Sequence, residues 1–225
     1  MIILTQLSVC ACIQNHPGGS SIFFNVYIFT ATIGQGAMRK MGAVPIFEEN
    51  QIIARVRAGD RDAYAALVDA YKGAIFNLAF RMTGSYHDAD DLAQETFIRA
   101  YENLRRYDSE KRFFTWLYTI SLNLIRNHLK KRGQHQSRET TEQNISERGN
   151  ANDASMEQDM IQAQEFRHLE SCLLALPADL REAVVLRFYQ DLSFEEISVI
   201  SDASVSAAKM RVYRGLEQLH LLMEK

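Results

Sequence analysis

From Phe47 to Arg132, apolar residues recur every three or four positions, the spacing that lines one face of an α-helix. Ile52, Ile53 and Val56 open the series, and Tyr64, Leu67, Val68 and Tyr71 continue it. The run Ala74 to Met82 keeps the same register. Gly59-Asp60 separates the first two helices, and Thr83-Gly84-Ser85 stops the second. Ser85 and Asp88 predict a capping box with Asp in the Glu place, and Asp90 and Asp91 suit the positive end of the helix that follows. On that helix, Asp88 to Leu104, the inward face is Ala89, Leu92, Ala93, Thr96, Phe97, Ala100 and Leu104. On the next, Phe113 to Arg132, it is Phe113, Leu117, Ile120 and Leu124.

The pattern then lapses. Gln134 to Gln158 is rich in Ser, Thr, Asn, Gln and Glu and has too few large apolar residues to order itself. Helical periodicity resumes near Met160, passes through Phe166, Leu169, Leu173 and Leu176, and breaks at Pro177. Three further helices are expected: Leu180 to Tyr189, Ser193 to Ile200, and Ser204 to about Met223. Ser193 with Glu196 completes a capping box, and Ser204 caps the last helix. Between them Ser201-Asp202-Ala203 forms a tight turn that places Asp202 in a left-handed conformation. The last helix turns Val205, Ala208, Val212, Leu216 and Leu219 inward and Ser206, Ala207, Lys209, Met210, Arg211 and Arg214 outward. The fold class is all-α: two small helical domains, 47–133 and 160–225, joined by a flexible polar linker, 134–159, the second domain a helix-turn-helix.

Charge adds contrast between segments. The chain totals −3, yet Glu48 to Gly133 holds 14 Lys and Arg against 12 Asp and Glu, whereas Gln134 to Glu170 holds 3 against 8. A mildly acidic total therefore leaves nucleic-acid binding open, because local patches decide it. Cys10, Cys12 and Cys172 make no disulfide framework, and Cys-x-Cys is not a zinc spacing, so a reduced cytoplasmic setting fits. Cys172, in the run CLLALP, reads as a small core residue. Residues 1–46 contain no acid, and their apolar run Ile22 to Ile33 falls short of the roughly 20 residues that span a bilayer. They read as a non-native or disordered extension upstream of a true start at Met38 or Met41, with a membrane tether the alternative.

Two faces carry candidate chemistry. Asp91, Gln94, Glu95, Ile98 and Glu102 share the outward side of the helix from Asp88, and an apolar Ile98 within an acidic stripe suggests a contact surface, although single exposed isoleucines are common. Thr115, Thr119, Asn123, Arg126 and Lys130 form a polar stripe on the helix from Phe113, and Lys111 to Arg132 holds six bases and no acid. Cations for a backbone beside aromatic faces for unstacked bases are what single-stranded nucleic acid requires. Phe114, Trp116 and Tyr118 fit either that platform or the core, Trp116 rather the core. In the last helix Lys209, Arg211 and Arg214 suit phosphates or guanine edges, or a solvated basic face. No Gly-rich phosphate loop or metal-ligand spacing occurs, and His87, His128, His135 and His168 are scattered, which argues against an enzyme.

The segments DADDLAQETFIRAYENL, FFTWLYTISLNLIRNHLKKR and LPADLREAVVLRFYQDLSFEEISVISDASVSAAKMRVYRGLEQL closely resemble the two conserved domains of bacterial RNA polymerase sigma factors, in the arrangement of the extracytoplasmic-function (ECF) group. The resemblance spans roughly 48–133 and 166–222. It implies core RNA polymerase, promoter DNA and an anti-sigma factor as partners, with no cofactor, metal or small-molecule substrate. It assigns Asp91, Gln94, Glu95 and Ile98 to the polymerase clamp coiled coil. It assigns Tyr107, Lys111, Arg112, Trp116, Thr119, Asn123, Arg126 and Lys130 to the melted −10 element. Ser204, Ser206, Lys209, Arg211 and Arg214 would read the −35 duplex. The recognition run SVSAAKMRVYRG and Asp202 depart from the family's usual Gly-Thr-Val-Lys-Ser-Arg type run and turn Gly, which puts the −35 sequence in doubt. Two other classes compete: a transcriptional regulator with a helical sensor domain, and an acidic protein-interaction module that never touches DNA. The acid-free basic run beside aromatics disfavours both.

Overall fold

The computed structural model describes residues 46–136 and 156–224. The expected N-terminal extension up to residue 45 and most of the expected linker lie outside them. The described residues form eight α-helices: α1 (Ile46–Arg57), α2 (Tyr64–Thr83), α3 (Tyr86–Asn103), α4 (Phe113–Gln136), α5 (Met156–Ala175), α6 (Ala178–Val184), α7 (Phe194–Ile200) and α8 (Val205–Met223). A short 3-10 turn, Leu104–Arg106, follows α3.

The helix ends follow the residues that were expected to set them. Gly84 takes φ 70° after α2, and its N–H donates to the Phe80 carbonyl at 2.8 Å, a left-handed stop that glycine adopts without Cβ strain. At α3 only half of the expected capping box forms. The Asp88 N–H donates to Ser85 Oγ at 3.2 Å, but the Asp88 carboxylate instead accepts from Arg132 on α4, also at 3.2 Å. The shorter Asp side chain lacks the reach that Glu has in this motif. At α7 the box is complete: Ser193 Oγ accepts from Glu196 N–H at 3.1 Å and Glu196 Oε2 accepts from Ser193 N–H at 2.9 Å. Asp202 has φ 50°, as the turn requires.

Three boundaries differ from the sequence reading. The helix α4 continues to Gln136, and α5 begins at Met156, within the segment expected to be linker; Met, Glu and Gln, which open α5, are good helix formers. The helix expected to run unbroken from Leu180 to Tyr189 changes character: Val185–Tyr189 winds as a π turn, closed by Gln190 N–H donating to the Val185 carbonyl at 3.3 Å.

In the first unit α2, α3 and α4 pack on one another, with α1 across α2; in the second, α8 packs on α6 and α7. Gly215 makes the second packing possible. A Cβ there would lie 2.6 Å from Val184 Cγ2 and 3.1 Å from the Leu180 carbonyl oxygen, so α6 and α8 cross with nothing between their backbones. The two units are not held apart: α4 packs on α7, α5 on α2, and one apolar cluster runs through both. From the middle of α6 into the π turn, Leu180, Glu182, Ala183, Val184, Val185 and Leu186 are all removed from solvent. A stretch buried this continuously needs neighbours on several sides, and the first unit supplies one of them.

Candidate nucleic-acid and partner interfaces

The outward face of α3 is as expected. Ala89, Leu92, Ala93, Thr96, Phe97, Ala100 and Leu104 are buried, which leaves Asp91, Gln94 and Ile98 exposed and Glu95 at the margin. Ile98 is 52% exposed, and Tyr101 beside it is also exposed. The polar side chains bond only within the helix: Asp91 with His87 at 3.0 Å, Gln94 with Asp90 at 2.8 Å, Glu95 with Arg99 at 2.6 Å. Pairs of this kind, four residues apart and in water, contribute little, so they yield readily to a partner.

The loop between α3 and α4 is fixed from α1. Arg57 donates to the Leu104 carbonyl through Nε at 3.1 Å and Nη2 at 2.9 Å, and also to the Tyr107 carbonyl. Asn50 Nδ2 donates to the Ser109 carbonyl at 3.3 Å. Tyr107, expected to meet DNA, is only 4% exposed. Its ring packs edge-on to Phe113 (centroids 5.5 Å apart) and against Trp116 (5.1 Å), and its hydroxyl donates to the Lys111 carbonyl. Burial pushes its hydroxyl up to about 12. Tyr107 therefore shapes the loop from inside and presents no ring to a strand. Lys111 and Arg112, the cations it positions, are exposed.

Where α3, the 3-10 turn and α4 meet, Arg99, Asn103, Arg106, Trp116, Ile120, Asn123, Leu124 and Asn127 line a cleft of about 330 Å³. Two guanidinium groups, three carboxamides and an indole surround it, and no carboxylate does. Carboxamides present donor and acceptor together and so match the edge of a base, while an indole offers a stacking face. Trp116 and Asn123 were expected here. Arg99, Asn103, Arg106 and Asn127 were not, because three of them sit away from the polar stripe of α4, on α3 and the 3-10 turn. Asn103 at the end of α3 and Asn127 one turn beyond Asn123 in α4 were the available signal. Ile120, expected in the core, is half-buried at the cleft wall.

The rest of the α4 stripe divides. Thr119 is half-buried and its hydroxyl donates to the Thr115 carbonyl at 2.8 Å, whereas Asn123 and Lys130 are exposed. Arg126 is engaged: Nε and Nη2 donate to Glu182 of α6 at 2.8 and 2.6 Å, and Glu182 raises the Arg126 pKa further. Tyr118, one of the aromatics left open between platform and core, is fully buried, and its hydroxyl donates to Gln190 at 2.7 Å.

On α8 the cap forms as expected, Ala207 N–H donating to Ser204 Oγ at 3.1 Å. Ser204, Ser206, Lys209 and Arg214 are exposed and Arg211 half-buried. The Lys209 ammonium lies 5.5 Å from the centre of the Phe194 ring, and Arg187 lies 5.0 Å from the same ring. The helix-turn-helix thus presents a small, hydroxylated and cationic surface, suited to a major groove. The described residues hold no cluster that would bind a metal ion and no helix long and apolar enough to cross a membrane.

An all-α molecule with an exposed acidic face, a base-sized cleft and a helix-turn-helix defines a class of DNA-directed transcription proteins. Residues 67–135 match the family pattern of sigma-70 region 2, and residues 166–219 match that of sigma-70 region 4. The ECF RNA polymerase sigma factor SigW of Bacillus subtilis is 36% identical over 172 residues, covering 74% of this chain and 92% of the relative. The RNA polymerase sigma-H factor of Pseudomonas aeruginosa is 31% identical over 177 residues, covering 76% and 92%. Among solved structures, the sigma factor RpoE of Bartonella quintana in complex with the anti-sigma factor NepR aligns with a TM-score of 0.59 at 21% identity, over 72% of this chain and 96% of that one. CnrH in complex with the cytosolic domain of CnrY aligns with a TM-score of 0.57 at 24% identity, over 77% and 95%. The chain belongs to the ECF group of RNA polymerase sigma factors, and its function is promoter recognition in transcription initiation.

Proposed function

We propose that the chain docks on core RNA polymerase through Asp91, Gln94, Glu95 and Ile98, binds the melted −10 strand over α4, and reads the −35 duplex with α8. The carboxylate-free cleft carries this reading: it holds a stacking surface, base-edge partners and cations in one place next to an acid-free stripe. An unstacked base entering it gives up a few kcal/mol of stacking, which Trp116, Asn123 and Asn127 offset. Lys111, Arg112, Arg126 and Lys130 meet the phosphates, Thr119 lies along the same stripe, and Tyr107 supports the loop without touching the strand. On α8, Ser204 and Ser206 approach the groove edge, and Lys209, Arg211 and Arg214 meet phosphates or guanines. The protein acts in the cytoplasm, catalyses no reaction and needs no cofactor; the polymerase supplies the chemistry. One solved neighbour, RpoE, is a sigma factor in complex with the anti-sigma factor NepR, and that likeness supports an anti-sigma partner here.

Run-off transcription by core polymerase with the full chain, on promoters selected from a randomised library, tests the reading. Asn123→Ala/Asn127→Ala is expected to retain core binding and lose initiation at least tenfold, about 1.4 kcal/mol of strand binding. Full initiation by that variant would remove the cleft from the mechanism.

A further inference from the structure

The helix α8 buries Ala208, Val212, Gly215 and Leu219, and the helical repeat sets Ser206 and Met210 almost opposite them. Met210 is 53% exposed. A single exposed methionine is ordinary; the place of this one is not. It lies in the second turn of a helix whose first turn carries Ser206 and Ala207 behind the cap Ser204. Side chains that short let the backbone approach the floor of a groove, where the N-terminal residues of a recognition helix meet base edges. Cations flank Met210 on both sides. The Lys209 ammonium lies over the Phe194 ring at the start of α7, 5.5 Å from its centre, and Arg187 lies 5.0 Å from the same ring. Both are thereby drawn to the α7 side, the side on which the first helix of such a motif crosses the DNA backbone. Arg214, one turn beyond Met210, is exposed on the other flank. Met210 stands between them on the line that points straight away from the core.

We propose that Met210 is a specificity-determining residue of this chain, reading the ring methyl of a thymine in the −35 duplex. The inference rests on the assignment of α8 to that duplex and adds to it a residue that makes no hydrogen-bonded readout. Every base pair shows donors and acceptors in the major groove, but thymine alone adds an apolar group. A thioether offers those polar edges only a weak acceptor. Set against guanine or cytosine, it displaces water from their edges and returns no comparable bond, which disfavours both. Against thymine it covers the methyl, and its flexible stem adapts to the methyl's position. Attraction to one base and rejection of others thus come from one side chain. This is also where the recognition run departs from the family's: Lys209-Met210-Arg211 stands against Lys-Ser-Arg. A hydroxyl that bonds to several base edges gives way to a group that suits one.

The test uses core RNA polymerase carrying the full chain. Promoters are selected from a library randomised over the upstream duplex. Each thymine of the selected −35 element is then replaced, one at a time, by deoxyuridine, which lacks only the methyl. Competition against a labelled promoter reads affinity. The unaltered chain is expected to lose about fourfold at one thymine, the effect of one methyl group returned to water. Met210→Ala is expected to bind the thymine and deoxyuridine forms of that position alike. Selection with Met210→Ala should lose the preference there and keep the others. A second variant, Lys209→Ala/Arg214→Ala, separates the two ways of failing. If it weakens promoter binding while Met210→Ala shows the same deoxyuridine losses as the unaltered chain, α8 meets the duplex and the thymine contact is overturned. A selected −35 element without thymine would overturn it equally. If the double variant binds promoters as the unaltered chain does, α8 does not meet the duplex, and the inference falls together with that assignment.

Discussion

The outward face of α3 and the polar stripe of α4 belong to one three-helix unit, yet they stand in different states. Every polar contact described on the α3 face is local, between residues four apart on an exposed helix. On α4 the central cation is held by a buried carboxylate from a distant part of the chain. Local surface pairs exchange for a partner at little cost, whereas a pair with one buried member must be replaced in kind. The difference is one of cost: the α3 face exchanges its contacts readily, whereas Arg126 leaves its buried carboxylate only for another acceptor.

The comparison can be broken most severely from the C-terminal side. Gly215→Val drives a side chain into Val184 and the Leu180 carbonyl, and overpacking of this kind is expected to cost about 3 kcal/mol. Thermal unfolding should show the loss as a lower or separate transition for the C-terminal unit, with α3 still able to dock. Glu182→Ala leaves the Arg126 guanidinium and the Ser201 hydroxyl without their acceptor. Because Arg126 retains some solvent access, about 2 kcal/mol is expected, below the range for a fully buried pair, and urea denaturation would measure it. Lys130 is the uncovered cation of the stripe. Lys130→Ala should weaken oligonucleotide binding about threefold and lower the salt slope by about 0.7, the increment for one phosphate contact on a single strand. The smallest effect is a gain. Asp202 holds φ 50°, and Asp202→Gly should stabilise the C-terminal unit by about 0.5 kcal/mol by relieving left-handed strain.

Much of this was legible in the chain, for local reasons. Caps and turns are set by residues three or four positions apart, so Ser193 with Glu196, Ser204, Gly84 and Asp202 could be assigned from sequence, and the period of α3 separated its buried face from its exposed one. What stayed hidden depends on contacts across the fold. Tyr107 read as a loop aromatic free to meet DNA; its burial depends on Arg57 holding the loop and on the Phe113 and Trp116 rings packed against it. Arg126 read as one more base on a polar stripe, and nothing singled out Glu182 as its partner. The run LREAVVL, a carboxylate inside an otherwise apolar segment, was the available hint that Glu182 is buried against a cation. The π turn at Val185–Tyr189 left no mark in a period that fits an ordinary helix equally well.

The central claim is that the exposed α3 face brings this chain to RNA polymerase. The most direct measurement is a titration of core RNA polymerase with the full chain and with Asp91→Ala/Glu95→Ala. The account predicts tight binding by the unaltered chain and a loss of about thirtyfold in the variant, on the order of 2 kcal/mol for removing central interface residues. Equal affinity of the two proteins for core polymerase would contradict it.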